Sequence, residues 1–191
     1  MQHIIITGTP GVGKTILARL LVKRLRSEYL NVGDRVRVAK LYSRYDRSSR
    51  SYIIDERRLR NNLEFFLKGN KHKPIVVETH WLGRFMPKRR SMVAIVVRLD
   101  PAILAKRLKA RKWPRKKIWE NVEAELIDLS LYESLRFLGP SRVCQIDASS
   151  KSPGRLVNES LRLMASNRGW DGRTPNWLGH YDPIELSRKI L

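Results

Sequence analysis

Apolar residues along this chain fall into short continuous runs separated by stretches with helical spacing. The continuous runs cover residues 4–6, 74–80, 91–100 and 142–147. Their length and their content of β-branched residues predict buried strands. Because helical patterns lie between them, right-handed βαβ crossovers and a parallel sheet covered by helices on both faces are expected.

Four helices are predicted from apolar residues that repeat at helical spacing. The first follows the strand at 4–6 and carries Leu17, Leu20, Leu21 and Leu25. The second begins with Asp100 as its N-cap and Pro101 in its first turn. The third includes Ile118, Val122, Leu126 and Leu129 and stops before Gly139, and the fourth starts at 152–153 and continues through Met164. The stretch at 35–42 alternates like a strand and is left unassigned.

The segment GTPGVGKT at residues 8–15 joins the first strand to the first helix. It fits the pattern G-x-x-x-x-G-K-S/T of a P-loop, in which successive backbone N–H groups surround a phosphate chain. Gly11 and Gly13 let the amides approach the anion, and the helix directs its N-terminal dipole at the same place. Lys14 is predicted to reach the β and γ phosphates of a nucleotide, and the Thr15 hydroxyl to bind Mg²⁺.

The charge of the chain suggests a second kind of ligand. There are 39 Lys and Arg against 18 Asp and Glu, a formal net charge of +21, which exceeds what a nucleotide-binding loop needs and predicts a polyanionic partner. Residues 84–117 contain thirteen basic residues and one acid, whereas residues 119–135 contain five acids and no base. A salt-bridged surface typical of heat-stable proteins is the alternative interpretation.

The cysteine content and the apolar runs limit the class of protein. Cys144 is the one cysteine of the chain, which excludes an internal disulfide, and its place in a predicted strand indicates a buried, unreactive thiol. No charged leader precedes an apolar segment, and no apolar run has the length needed to span a bilayer. We therefore expect one main domain in the cytoplasm, without membrane association.

Six segments occur in an order that is found in a known family. They are TGTPGVGKT, YLNVGD at 29–34, LYSRYD at 41–46, IIDERRL at 53–59, VVETH at 76–80 and RLKARKWPRKKIWENVEAEL at 107–126. On these segments the chain resembles an archaeal-type member of the adenylate kinase isoenzyme 6 family, small nucleoside monophosphate kinases that also act in maturation of the small ribosomal subunit. The resemblance implies a P-loop NTPase three-layer α/β sandwich at 1–166, with an acceptor segment at about 31–54 and a lid at about 110–120.

The resemblance also implies the residues of the site. ATP is expected at Gly11, Val12, Gly13, Lys14, Thr15 and Ile16, with Arg111 added from the lid. Transfer between nucleotides must exclude water, so a closing lid with an arginine that forks onto phosphoryl oxygens suits the chemistry. Lys14, His80 and Arg111 are expected to be catalytic, and Thr15 and Glu78 to hold Mg²⁺.

The acceptor monophosphate is expected at Asp34 and Arg37. Asp34 either caps a helix or orients the acceptor. Arg44, Arg47 and Arg50 make this segment unusually basic, which suggests a heavier polyanion nearby and leaves AMP a less certain acceptor.

Three positions of the site depart from the family pattern. The family has an Asp, an aromatic residue and a His at the end of its third strand, where this chain has Glu78, Thr79 and His80; Glu78 keeps the carboxylate one methylene further out. His80 is expected to position a water or the γ phosphate, and a purely structural histidine is the alternative. Ile16 replaces a common Thr, which predicts slightly weaker nucleotide binding.

Two functions fit these observations. The first is phosphoryl transfer from ATP to a nucleoside monophosphate, ATP + AMP = 2 ADP, with a slow ATPase activity. The second is an assembly factor that binds ribosomal RNA and a small-subunit ribosomal protein and uses nucleotide as a conformational switch. Residues 167–191 extend past the resemblance, and aromatic residues such as Trp170 and Trp177 predict that this extension covers the core or presents a docking surface.

Overall fold

The computed structural model describes residues 3–47, 51–70, 72–83, 85–88, 91–166 and 169–191. Arg50 of the acceptor segment, Arg84 at the start of the basic stretch, and Asn167 at the start of the extension lie outside the described residues. In chain order the elements are β1 His3–Thr7, α1 Lys14–Leu25, β2 Glu28–Asn31, α2 Val32–Val38, β3 Tyr42–Asp46, β4 Ser51–Ile54, α3 Glu56–Gly69, β5 Ile75–Glu78, β6 Met92–Arg98, α4 Pro101–Ala110, α5 Arg115–Leu126, α6 Leu129–Leu138, β7 Val143–Asp147, α7 Pro153–Ser166, α8 Trp177–His180 and α9 Pro183–Ile190.

Five strands form a parallel sheet in the order β2-β5-β1-β6-β7. The central strand β1 pairs with β5 on one side and β6 on the other, so that Ile4 lies opposite both Val76 and Val93. β3 and β4 form a separate antiparallel hairpin. The predicted parallel sheet is confirmed, and β2, which the sequence patterns did not indicate, is one of its two edge strands.

Helices cover both faces of the sheet, which is why its strands are apolar without alternation. Ile4 and Ile6 of β1 pack in one cluster with α1, α4, α5 and α7. Ile5 points to the opposite face and packs with α2, α3 and α6. The fold is therefore the predicted three-layer α/β sandwich of a P-loop NTPase.

Asp100 caps α4 as predicted, since its Oδ1 accepts hydrogen bonds from the backbone N–H groups of Ala102 and Ile103 at 2.8 and 3.0 Å. The prediction of one helix from Ile118 to the region before Gly139 is wrong. α5 ends at Leu126 and α6 begins at Leu129, because Asp128 between them adopts a left-handed conformation with φ of 56°. Its carboxylate pairs with Arg98 on β6, a long-range contact that apolar spacing does not reveal.

The unassigned stretch at 35–42 is helical in its first half. It continues α2 as far as Val38 and enters β3 only at Tyr42. None of the helices within the described ranges combines the length and the apolar character needed to cross a membrane.

The extension packs against the body of the protein. Leu186 of α9 is buried in the cluster that contains α4 and α5, with Trp177 and Tyr181 beside it. The Tyr181 hydroxyl donates to Asp100 Oδ2 at 2.6 Å, and Arg115 donates to the carbonyl oxygen of Leu191 at 2.7 Å. Of the two interpretations of the extension, this packing matches the one in which it covers the core.

Candidate active site

The P-loop approaches its neighbours too closely for side chains at two glycines. Gly8 has φ of 138°, and a Cβ there would lie 2.3 Å from the carbonyl oxygen of Val97 on β6. Gly11 has φ of 100°, and a Cβ there would lie 2.9 Å from side-chain atoms of Leu104 and Leu108 on α4. Both positions therefore require glycine, and the loop is held between the central strands and α4.

Lys14 begins α1 and is buried. Its Nζ donates to the carbonyl oxygens of Gly8 and Thr9 at 2.7 and 2.9 Å. Burial lowers its pKa to about 8; the carboxylates of Glu78 and Glu125 act in the opposite direction, and the charge of Arg111 lowers it further. The ammonium group is thus fixed inside the loop, in the place where a phosphate chain would meet it.

Glu78 ends β5, and its carboxylate lies next to α1. Its Oε1 accepts a hydrogen bond of 2.6 Å from the Thr15 hydroxyl. Its Oε2 accepts one from the hydroxyl of Tyr29 on the edge strand β2. The pKa of Tyr29 is raised by burial and by the hydrogen bond to Glu78. Tyr29 lies within a segment that carried the family resemblance, but nothing in the sequence assigned it to the site.

The paired oxygens of Thr15 and Glu78 suit Mg²⁺, which prefers hard oxygen ligands. Within the described residues no group of three or more His, Cys, Asp or Glu side chains could hold a metal ion. Magnesium is usually bound by one or two carboxylates together with substrate phosphates. The residues present therefore fit an ion that arrives with its nucleotide, and Thr15 and Glu78 remain the predicted ligands.

His80 follows β5, and its side chain lies against Trp81 with ring centroids 4.2 Å apart. Burial, and after it the charge of Lys14, lowers the pKa of His80 to about 4. Thr79 fixes the turn beside it, because its hydroxyl donates to the carbonyl oxygen of Trp81 at 2.8 Å and accepts from the N–H of Trp81 at 3.1 Å. A neutral imidazole can orient a water or a phosphate by hydrogen bonding but offers no positive charge near neutral pH.

Two arginines near the C-terminal end of α4 interact with the P-loop. Arg107 donates from Nη1 to the carbonyl oxygen of Val12 at 3.3 Å. Arg111 is exposed at the C-terminal end of α4, and its charge acts on Lys14. Arg111 is a predicted residue of the site and Arg107 is not, although residues four apart on a helix share one face. The connection between α4 and α5 is short, since residues 115–120 of the predicted lid already belong to α5.

The predicted acceptor residues lie on α2. Asn31 is the N-cap and accepts from the backbone N–H of Asp34 at 3.0 Å, so the interpretation of Asp34 as the helix cap is wrong. Asp34 lies in the first turn and forms an exposed ion pair with Arg37. The described contacts of this pair are local, and its role toward an acceptor stays a prediction.

The basic and acidic stretches contact each other in the interior of the protein through one buried ion pair. Arg98 and Glu125 belong to opposite stretches, yet each is 1% exposed, and Arg98 Nε donates to Glu125 Oε1 at 2.7 Å. Glu125 also accepts from the Thr9 hydroxyl at 2.5 Å. The two stretches therefore meet in the interior beside the P-loop, which charge counting alone could not show.

The fold and the site together define an α/β P-loop NTPase. Solved structures with this fold include a shikimate kinase from Bacteroides thetaiotaomicron, with a TM-score of 0.58 at 15% identity over 86% of this chain and 98% of that one. A gluconokinase from Sinorhizobium meliloti gives a TM-score of 0.52 at 17% identity over 87% and 93% of the two chains. At these identities the similarity concerns the fold alone.

Sequence comparison defines the family. The family model described as an AAA domain matches residues 4–128. Proteins named "Putative adenylate kinase" from Pyrococcus furiosus and Thermococcus kodakarensis are 38% and 36% identical over 182 and 183 residues, covering 95% of this chain and 94% and 96% of theirs. A protein of the same name from Sulfurisphaera tokodaii is 35% identical over 167 residues, 87% of this chain and 85% of that one. The chain belongs to this family of adenylate-kinase-like P-loop proteins.

Proposed function

We propose that the protein is a cytoplasmic, ATP-dependent nucleoside monophosphate kinase that catalyses ATP + AMP = 2 ADP. The observation that carries this proposal is the convergence of Lys14, Thr15, Glu78 and His80 at the carboxyl ends of β1 and β5, where ligands bind in open parallel sheets. The relatives named for adenylate kinase activity support AMP as the first acceptor to test.

Each residue of the site has a separate role in phosphoryl transfer. A phosphate oxygen of the acceptor attacks the γ phosphorus of ATP, the bond to the β–γ bridging oxygen breaks, and ADP leaves. Lys14 stabilises the negative charge that develops on the β and γ phosphates. Mg²⁺ held at Thr15 and Glu78 would neutralise further phosphate charge. His80 orients the γ phosphate or a water without changing its own protonation.

The lid side supplies the remaining charge. Arg111 donates two parallel hydrogen bonds to the transferring phosphoryl group when the α4–α5 connection moves toward the P-loop. A guanidinium group can bind in this bidentate way, whereas an ammonium group cannot. Closure also excludes water. Where exclusion is incomplete, water replaces the acceptor, and a slow ATPase activity results.

A steady-state assay tests the proposal. ADP formation from ATP is measured with and without AMP, and CMP, UMP and GMP are compared at the same concentration. We expect AMP, or another monophosphate, to raise ADP formation well above the rate with ATP alone. Rates that no monophosphate increases would contradict kinase activity and leave the ATPase as the reaction.

A second function, RNA binding during ribosome assembly, is favoured by the β3–β4 hairpin. Tyr45 is 48% exposed, and its ring lies 5.1 Å from that of Tyr52, which in turn contacts Tyr42. Arg44 and Arg47 are exposed on the same hairpin. Aromatic side chains interleaved with arginines suit the stacking of single-stranded RNA bases, and the net charge of +21 favours such a partner. Ribosomal RNA and a small-subunit ribosomal protein are the partners that the family resemblance suggests.

Fluorescence anisotropy with a single-stranded ribosomal RNA fragment tests this second function. Binding that neutralises about six phosphates of a single strand should weaken about three-hundredfold between roughly 50 and 200 mM salt. Tyr45→Leu should reduce affinity about tenfold, since stacking of one base is worth roughly 1–3 kcal/mol. Phe65→Leu, another exposed aromatic, is the control. A flat salt response, or equal effects of the two substitutions, would contradict RNA binding at the hairpin.

A further inference from the structure

Two carboxylates are buried among the described residues, and both lie beside the P-loop. Glu78 contacts Thr15 at one end of the loop and already has a place in the proposed function. Glu125 contacts Thr9 at the other end, and the proposed function gives it no role. A buried carboxylate needs several hydrogen bonds to be stable, so its partners indicate what it holds.

The carboxylate of Glu125 joins three parts of the fold. Its Oε2 accepts from the hydroxyl of Thr9 in the P-loop at 2.5 Å. Its Oε1 accepts from Arg98 Nε at 2.7 Å and from the backbone N–H of Leu99 at 3.1 Å, both at the end of β6. Arg98 also donates to the carbonyl oxygen of Glu125 at 3.0 Å and to the Asp128 carboxylate. The last turn of α5 is therefore fixed to the central sheet, and one carboxylate oxygen is directed at the P-loop.

Thr9 has contacts in two directions. Its carbonyl oxygen accepts a hydrogen bond of 2.9 Å from Lys14 Nζ, while its hydroxyl donates to Glu125. A lysine ammonium has three N–H donors, and two of them are used by Gly8 and Thr9. The third donor can bind a phosphate oxygen, and a movement of the ammonium group toward that oxygen changes its hydrogen bond to the carbonyl oxygen of Thr9.

α5 connects Glu125 to the lid. It begins at Arg115, directly after the α4–α5 connection, and Glu125 lies ten residues further along the helix, about 15 Å away. On the other side of the connection, Arg107 of α4 donates to the carbonyl oxygen of Val12. Both helices that flank the lid connection thus contact the P-loop, one at each end of the Thr9–Val12 stretch.

We propose that Glu125 is a positioning residue that couples the P-loop to the lid through Thr9. Binding of nucleotide phosphates at Lys14 shifts Thr9, the Thr9–Glu125 hydrogen bond transmits the shift to α5, and α5 orients the lid connection. The proposal rests on the proposed nucleotide-kinase function for its effect on turnover, while the coupling itself concerns nucleotide binding.

Three variants isolate the hydrogen bond. Thr9→Val removes the hydroxyl and keeps the shape of the side chain, whereas Thr9→Ser keeps the hydroxyl. Ser160→Ala is the matched control, because it removes a buried hydroxyl that donates to Leu156 within α7, away from the P-loop. If Thr9→Val does not fold, Thr9→Ala takes its place.

Two measurements test whether Thr9 couples the P-loop to the lid. Hydrogen–deuterium exchange of residues 110–117 is measured with and without a non-hydrolysable ATP analogue, and kcat and KM for ATP are measured for each variant. In the parent, Thr9→Ser and Ser160→Ala, nucleotide should slow exchange in this segment. In Thr9→Val the analogue should still bind, the slowing should be largely lost, and kcat should fall about tenfold with a smaller change in KM.

The outcomes separate the coupling from the proposed function. Equal protection of residues 110–117 in Thr9→Val and in the parent overturns the coupling. A loss of kcat in Thr9→Val that Thr9→Ser does not restore also overturns it. A parent that binds the analogue and protects the segment but transfers no phosphoryl group contradicts the kinase function and leaves the coupling supported.

Discussion

Lys14 gives the site a pH dependence that can be measured. Its ammonium group is buried among carbonyl oxygens of the P-loop, and burial lowers its pKa from 10.5 to about 8. A neutral lysine offers no charge to the phosphates of ATP, so capture of ATP requires the protonated form. Because kcat/KM reports ionisations of the free protein, kcat/KM for ATP should fall as the pH rises through the pKa of Lys14.

The size of this fall follows from a single ionisation. For a pKa of about 8, the protonated fraction is about nine tenths at pH 7, one half at pH 8 and one tenth at pH 9. We therefore expect kcat/KM to fall about fivefold between pH 8 and 9, and about tenfold over the next pH unit. His80 should add no acid limb between about pH 5 and 7, because burial and the charge of Lys14 lower its pKa to about 4.

Initial rates at subsaturating ATP, from about pH 6 to pH 10, test this expectation. Lys14→Arg is the matched control, because a guanidinium stays charged over the whole range. Its residual activity should show no fall near pH 8. A parent profile that stays flat beyond about pH 9, or the same midpoint in the parent and in Lys14→Arg, would refute the role given to the Lys14 ionisation.

Three substitutions test the site and the packing around it. Lys14→Ala should slow phosphoryl transfer strongly, because it removes several kcal/mol of transition-state stabilisation. Activity above roughly a tenth of the parent would show that the P-loop takes no part in the reaction. Glu125→Ala should lower the free energy of unfolding, measured by chemical denaturation, by about 3 kcal/mol, because Arg98 loses its buried partner. Glu185 forms an exposed ion pair and is the control, so Glu185→Ala should lower it by less than about 1 kcal/mol. If α9 belongs to the core, Leu186→Ala should lower the free energy of unfolding by about 2 kcal/mol. Leu178 is exposed, so Leu178→Ala should lower it by less than about 0.5 kcal/mol. Equal effects of the two substitutions would contradict the packing of α9 on the core.

The parts of the fold that are encoded locally could be predicted from the sequence. The P-loop spacing, the apolar strands and the Asp100–Pro101 helix start all depend on neighbouring residues, and the structure contains them. The family resemblance and the position of Glu78 at a strand end assigned Thr15 and Glu78 to one Mg²⁺ site, and the hydrogen bond between them is a contact that only the structure shows.

The features that sequence analysis missed depend on contacts between distant segments. The helix break at Asp128 goes with an ion pair to Arg98, thirty residues earlier. Glu125 is one of five acids in the stretch 119–135, and the sequence does not show that it is buried. Its burial follows from the packing of α5 beside β6 and the P-loop. Tyr29 reaches Glu78 because β2 lies next to β5, a strand order that no spacing in the sequence gives.

The central claim is that this site moves a phosphoryl group from ATP to a nucleoside monophosphate. Incubation of the protein with ATP labelled at the γ phosphate, in the presence of unlabelled AMP, tests it most directly. We expect the label to appear in ADP, with Lys14→Ala showing little transfer. Label that appears only as inorganic phosphate, at a rate that AMP does not change, would contradict the kinase function and identify the protein as an ATPase.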